Sequence, residues 1–188
     1  MEFKGLKVTA RLYDLDSRLV RTWTATEDIE ADRAVNDILR LEFPKGLSDV
    51  HFISLELADS KGTVLSDNFY WRSDDEFEGR ESLSGPCSSG FSSLERMKKA
   101  ALSVKTRKLA DGSIKVVLKN TSGRIAFFNR MQLRDSSGEP VCGTYYSDNF
   151  FTILPHRTME VTLQPGADGA STLFVEGWNT SKTEIAIR

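Results

Sequence analysis

The sequence predicts an all-β protein, two β-sandwiches in tandem joined by a short linker. Three observations carry that reading. Apolar residues alternate with polar ones over many short runs, the period of a half-buried strand. Turn signals separate those runs, among them Asp14–Arg18, Asp59–Gly62, Asp111-Gly112 and Asn120–Gly123. One hairpin-like stretch also occurs twice: Phe52–Asp59-Ser-Lys-Gly62 with Leu65-Ser-Asp67-Asn68-Phe69-Tyr-Trp71, then Phe128–Asp135-Ser-Ser-Gly138 with Tyr146-Ser-Asp148-Asn149-Phe150-Phe151. The two turns lie 76 residues apart and the two Ser-Asp-Asn-Phe segments 81, so the second copy carries five extra residues between its parts.

Along the chain, Leu6, Val8, Ala10 and Leu12 alternate with Lys7, Thr9, Arg11 and Tyr13. Asp14–Arg18 is a turn, and Leu19–Thr24 reads as the return strand. Residues 26–41 fit a helix face or a strand; Val35 to Phe43 is read as a strand ended by Pro44, because its neighbours are strands. Phe52–Leu57 alternates cleanly, Asp59–Gly62 closes a hairpin, and Val64–Trp71 is its second arm. Residues 72–99 are rich in Ser, Gly and charge and read as a linker with one possible helical turn near 92–99. Strands then follow at Leu102–Thr106, Ile114–Lys119, Ala126–Arg134, Val141–Phe150, Met159–Gln164, Thr172–Trp178 and Thr183–Ile187. Seven or eight short strands in under ninety residues suit an immunoglobulin-like sandwich. The predicted organisation is a first immunoglobulin-like sandwich at 1–73, a linker at 74–99 and a second such sandwich at 100–188. The first begins abruptly, with a strand five residues from Met1, and is expected to be short of one or two strands.

The totals exclude several functions. The chain has 188 residues, a net charge of −2 and no long basic run, so nothing favours nucleic acid or an anionic membrane as partner. No apolar stretch approaches the roughly 20 residues of a membrane-spanning helix. The N-terminus, Met1-Glu-Phe-Lys-Gly, lacks a signal peptide's apolar core, which predicts a cytoplasmic protein or an N-terminus cut away. Cys87 and Cys142 are read as two free thiols. No metal or other cofactor is expected: there is no Cys-x-x-Cys, His51 and His156 stand alone, and Asp74–Glu78 lacks the spacing and glycine of a calcium loop. The sequons at Asn120 and Asn179 carry weight only in a eukaryotic secretory source.

Four segments together resemble a known family: Lys4–Asp16, Leu65–Trp71, Val116–Ser122 followed by Ala126-Phe-Phe, and Tyr146–Pro155. In this order they are similar to the C-terminal region of family 2 glycoside hydrolases, in the exo-β-glucosaminidase and β-mannosidase branch. The resemblance implies a set of β-sandwich domains trailing a catalytic (β/α)₈ barrel, in a periplasmic or secreted parent. The barrel of the same chain is then the implied partner. It also implies retaining chemistry by two glutamates on that barrel, groups that must sit about 5 Å apart on a rigid scaffold. A barrel of about 250 residues does not fit beside two sandwiches, so no catalytic residue is expected in this chain.

Candidate sugar-binding residues are therefore accessory ones. Tyr145, Tyr146 and Asn149 combine ring faces with an amide, the mixture sugar recognition uses. The competing expectation is that Ser-Asp-Asn shapes a turn through its side chains. Trp71 offers a ring on the same strand face as Phe69, with Tyr70 on the other, and core packing competes with stacking there. Trp178 is expected in the core. A chain of this kind either buttresses the barrel and walls the substrate cleft, or holds an oligosaccharide by itself, or serves adhesion with no sugar role.

Overall fold

The computed structural model describes residues 2–73 and 90–187. It is all-β, with three four-stranded antiparallel sheets and one 3-10 turn, Ser92–Arg96, among those residues. Most of the predicted linker, with Cys87 and Asp74–Glu78, lies outside the described residues. The chain divides into two compact units, residues 1–97 and 98–188.

The first unit contains β1 (Phe3–Tyr13), β2 (Leu19–Ile29), β3 (Val50–Ala58) and β4 (Val64–Ser73), in the order β2-β1-β3-β4. Register follows the alternation: Ala10 lies opposite Leu55 and Leu12 opposite Ile53, while Tyr13 lies opposite Phe52 on the other face. Leu6, Ala10, Leu12, His51 and Ile53 are buried on the first of these faces. No second sheet covers it among the described residues. The predicted strand at 35–43 does not form. Asp32 and Asp37 take left-handed backbone, φ +57° each, which breaks the extended run, and no neighbouring strand answers its N–H and C=O groups. The segment is held by side chains instead. Phe43 packs on the His51 ring at 5.2 Å, the Arg72 guanidinium lies 5.1 Å over Phe43, and Arg21 donates to the Glu42 carbonyl at 3.5 Å.

The second unit is a complete sandwich. One sheet runs β5-β6-β10-β8, from Leu102–Lys108, Ile114–Asn120, Thr158–Gln164 and Tyr145–Tyr146. The other runs β12-β11-β7-β9, from Thr183–Ala186, Thr172–Glu176, Ala126–Arg134 and Phe151–Ile153. The inward positions of both sheets, among them Ile114, Val116, Leu118, Val161 and Leu163 against Met131, Leu133, Leu173 and Val175, make one buried cluster. A fully buried aliphatic side chain of this kind contributes about 1.5–3 kcal/mol, so this layer is the main source of the unit's stability. On the outer face Phe174 is also buried, between the Arg134 guanidinium at 4.2 Å and the Lys182 ammonium at 4.6 Å, an apolar ring covered by the stems and heads of two cations.

Four tight hairpins share one turn geometry. In Asp14–Arg18, Asp59–Thr63, Leu109–Ser113 and Asp135–Glu139 the first N–H donates to the fifth residue's carbonyl and the fourth N–H to the first carbonyl. The fourth residue sits in the left-handed region each time: Ser17 at φ +67°, Gly62 at +85°, Gly112 at +82° and Gly138 at +85°. Glycine takes that conformation without steric cost.

Candidate functional site

The repeated hairpin diverges after its turn, and the divergence builds the region that the sequence singles out. In the first unit the Ser66-Asp67-Asn68-Phe69 copy lies inside β4 and pairs with β3 throughout, Asn68 opposite Leu55 and Phe69 opposite Ser54. In the second unit the predicted strand Val141–Phe150 is not continuous. After a single bridge, Arg134 to Pro140, the chain leaves β7 and joins the other sheet as β8, opposite Leu163 and Gln164 of β10. It then returns to β7 as β9, Phe151 opposite Asn129 and Ile153 opposite Ala126.

This detour opens a gap in the ladder along β7, and two side chains close it. The Leu133 N–H donates to the Tyr146 hydroxyl at 2.8 Å. The Met131 N–H donates to Asn149 Oδ1 at 2.8 Å, and Asn149 Nδ2 donates to the Met131 carbonyl at 3.1 Å. Asn149 thus presents to β7 the donor and acceptor that a strand residue would. The Tyr146 hydroxyl and the Asn149 amide of the predicted sugar site are therefore engaged inside the protein. The expectation that Ser-Asp-Asn bonds nearby backbone holds in part: Asn149 Oδ1 accepts from the Phe150 N–H at 3.0 Å, and the same amide also reaches a different strand. Tyr145 is 60 % exposed beside them. Trp71 belongs to the first unit. It sits on β4 opposite Phe52, 39 % exposed, on the face where Phe69 and Phe52 stack at 5.6 Å.

Three buried asparagines fix the same end of the second unit. Asn120 Nδ2 donates to the Arg124 and Ile153 carbonyls. Asn179 Nδ2 donates to the Lys98 and Ile125 carbonyls, and its Oδ1 accepts from the Phe127 N–H. Asn129 Nδ2 donates to the Ala126 and Phe151 carbonyls, and its Oδ1 accepts from Thr180 Oγ1. Burial of Asn120 and Asn179 is incompatible with glycosylation of the folded chain at either sequon. A Cβ at Gly177 would meet Asn129 Oδ1 at 2.3 Å, so only glycine allows this close approach.

Two aromatic residues sit on strained backbone next to that network. Phe128 has φ +49° and Phe150 φ +58°. Bulky residues are rare there, and each such position costs on the order of 1–3 kcal/mol. The strain coincides with a register break between β7 and β9, from Ala126 to Asn129. The rings meet at 5.6 Å, tilted by 46°, and stay 38 % and 55 % exposed. The sequence carries a signal for the first of them: in Phe127-Phe128, within β7, one ring of the pair is buried and the other faces outward. Trp178, expected in the core, is 51 % exposed; it lies past the end of β11, its N–H donating to the Phe127 carbonyl.

Three turn carboxylates titrate below their ordinary value. Asp59 is held down by the Thr63 N–H and then that of Lys61, Asp111 by the hydroxyl and N–H of Ser113, and Asp135 by the Ser137 hydroxyl and then the Glu139 N–H. All three are solvent-facing turn groups. Of the histidines, His51 is buried in the first unit and His156 occupies a turn of the second at φ +61°. Cys142 is an exposed free thiol. An open depression of about 570 Å³ lies between the Asp111-Gly112 turn and the Pro165–Ala170 loop. No cluster of three metal-ligating side chains occurs among the described residues.

Comparison with known proteins places the chain. A family model for the exo-β-D-glucosaminidase Ig-fold domain matches residues 86–180. An exo-β-D-glucosaminidase of Arthroderma benhamiae is 31 % identical over 144 residues, covering 73 % of this chain and 16 % of that protein. One of Amycolatopsis orientalis is 30 % identical over 198 aligned residues, 96 % of this chain and 19 % of that protein. The crystal structure of the Amycolatopsis orientalis exo-chitosanase superposes with a TM-score of 0.73 at 27 % identity, covering 98 % of this chain and 24 % of that one. The chain spans 16 % to 22 % of the length of the curated relatives it matches. It belongs to the exo-β-D-glucosaminidase Ig-fold domain family.

Proposed function

We propose, from that membership, that this chain is a non-catalytic, trailing part of a retaining β-glycosidase that removes glucosamine from the ends of β-linked chains. Glucosaminide is preferred over mannoside because the matched relatives bear the exo-β-D-glucosaminidase name. The observation that carries the reading is the family match itself, to a chain that spans so small a share of its relatives. The role of the two units is to buttress the catalytic barrel and to furnish part of a cleft wall. Any sugar contact from the predicted residues falls to Tyr145 in one unit and Trp71 in the other, since the Tyr146 hydroxyl and the Asn149 amide are committed to β7.

The test is the mass of the native polypeptide in source cells, read with an antibody raised to this chain. The expected band is several times heavier than 21.1 kDa, and the purified 188-residue chain is expected to release no nitrophenol from a β-glucosaminide. A native band near the mass of this chain, or turnover that survives repurification and is abolished by a carboxylate substitution, overturns the reading.

A further inference from the structure

Beyond a supporting role, we propose that the outer face of β7 in the second unit is a binding site for a neutral β-linked oligosaccharide. Outward positions of this strand alternate as Phe128, Arg130, Gln132 and Arg134, about 6.8 Å apart at two residues per step. Phe150 extends the row at one end through its ring contact with Phe128. Arg130 is paired with Glu176 on β11, and Arg134 Nε donates to Gln132 Oε1 at 2.9 Å. The row therefore joins two exposed ring faces to planar guanidinium, carboxylate and carboxamide groups whose orientation is already fixed. A sugar chain offers apolar C–H faces and paired hydroxyls, and this combination of stacking surfaces with fixed polar partners is what recognises them.

The backbone strengthens the assignment. Phe128 and Phe150 both occupy left-handed conformations, which asparagine or glycine would take more easily. Two strained positions keep two aromatic rings at the surface and in contact, and strain of this kind collects at functional sites. The charge of the face selects among sugars. Arg130 and Lys182 are paired with Glu176 and Glu184, and Arg134 over Phe174 leaves one positive charge in excess, in a chain whose net charge is −2. A fully deacetylated chain, a glucosamine oligomer with every amine protonated, is repelled there; an N-acetylated one is not.

The experiment titrates the 188-residue chain with N-acetylglucosamine hexamer and, separately, with glucosamine hexamer, following backbone amide shifts. Saturable binding of the acetylated hexamer at or below about 1 mM is expected, at least tenfold tighter than the amine form, with shifts centred on β7. Phe128→Asn and Phe150→Asn are each expected to weaken it tenfold or more and to leave the folded amide spectrum intact, since asparagine tolerates the left-handed backbone. Arg130→Gln, which leaves the strained positions untouched, is expected to weaken it as well. No saturation by the acetylated hexamer, equal or tighter binding of the amine form, or unchanged binding by these variants overturns the proposal. So does concentration-dependent self-association that Phe150→Asn abolishes, which would make the face a protein interface.

Discussion

The two copies of the repeated hairpin start alike and end differently. Asp59–Thr63 and Asp135–Glu139 form the same turn, with the aspartate Oδ1 accepting from the N–H two and four residues on in both. Beyond it, Asn68 is one residue of a continuous edge strand, whereas Asn149 stands in for a strand that has gone elsewhere. A short motif thus fixes its turn locally, but the path of the returning chain depends on what else can pair with it. The five extra residues of the second copy give enough length to reach β10. The ladder positions left open on β7 are then satisfied by side chains, because buried backbone groups cannot be left unpaired cheaply.

The largest test of this contrast is Asn149→Ala beside Asn68→Ala. The first strands the N–H and the carbonyl of Met131, each costing about 1–3 kcal/mol, so a loss of about 2–4 kcal/mol is expected. The second removes an exposed mid-strand side chain and is expected to stay within about 0.5 kcal/mol. Urea denaturation measures both, and the Met131 amide should exchange faster only in the Asn149 variant. Equal losses would show that the two copies are equivalent after all.

Next in size is Tyr146→Phe, which leaves the Leu133 N–H without its acceptor and is expected to cost about 1–2 kcal/mol. Tyr70→Phe, on the exposed strand of the first unit, is expected to be neutral. Thermal melts of the two variants give the comparison.

Smaller effects probe what the copies share. Gly62→Ala and Gly138→Ala are expected to cost alike, about 1–2 kcal/mol, because both glycines have φ +85° and open space around the missing Cβ. A large difference in Tm between them would mean that the turns are not equivalent.

Smallest is the response to acid. Asp59 and Asp135 are held below their ordinary value of 3.8 in the folded chain. Their stabilisation is therefore complete above that value, and it fades as pH falls from there through the lower folded-state value, where the unfolded chain binds the proton first. Asp59→Asn and Asp135→Asn should each flatten the fall in Tm between about pH 4 and pH 2 by a similar small amount, since both groups face solvent. A steeper fall in either variant would contradict the assigned turn bonds.

Period-two alternation and local turn chemistry made most of this fold legible from residues alone. Strands such as β1, β3, β6 and β10 follow from their own side chains, because one apolar face must be buried and the pleat decides which residues share it. The tight turns followed from Asp, Ser and Gly at fixed offsets. The resemblance of four segments pointed to the family in which the chain belongs. Whether an extended segment becomes a strand was not legible, since that requires a neighbour to take its hydrogen bonds. Residues 39–43 have the alternation but no strand beside them, and residues 141–150 divide their pairing between two sheets. The tertiary structure also decided the fate of the candidate site. It turned Tyr146 and Asn149 inward to β7 and brought Phe128 and Phe150, 22 residues apart, into contact at the surface. Contacts of that kind arise only once the sheets have set their register.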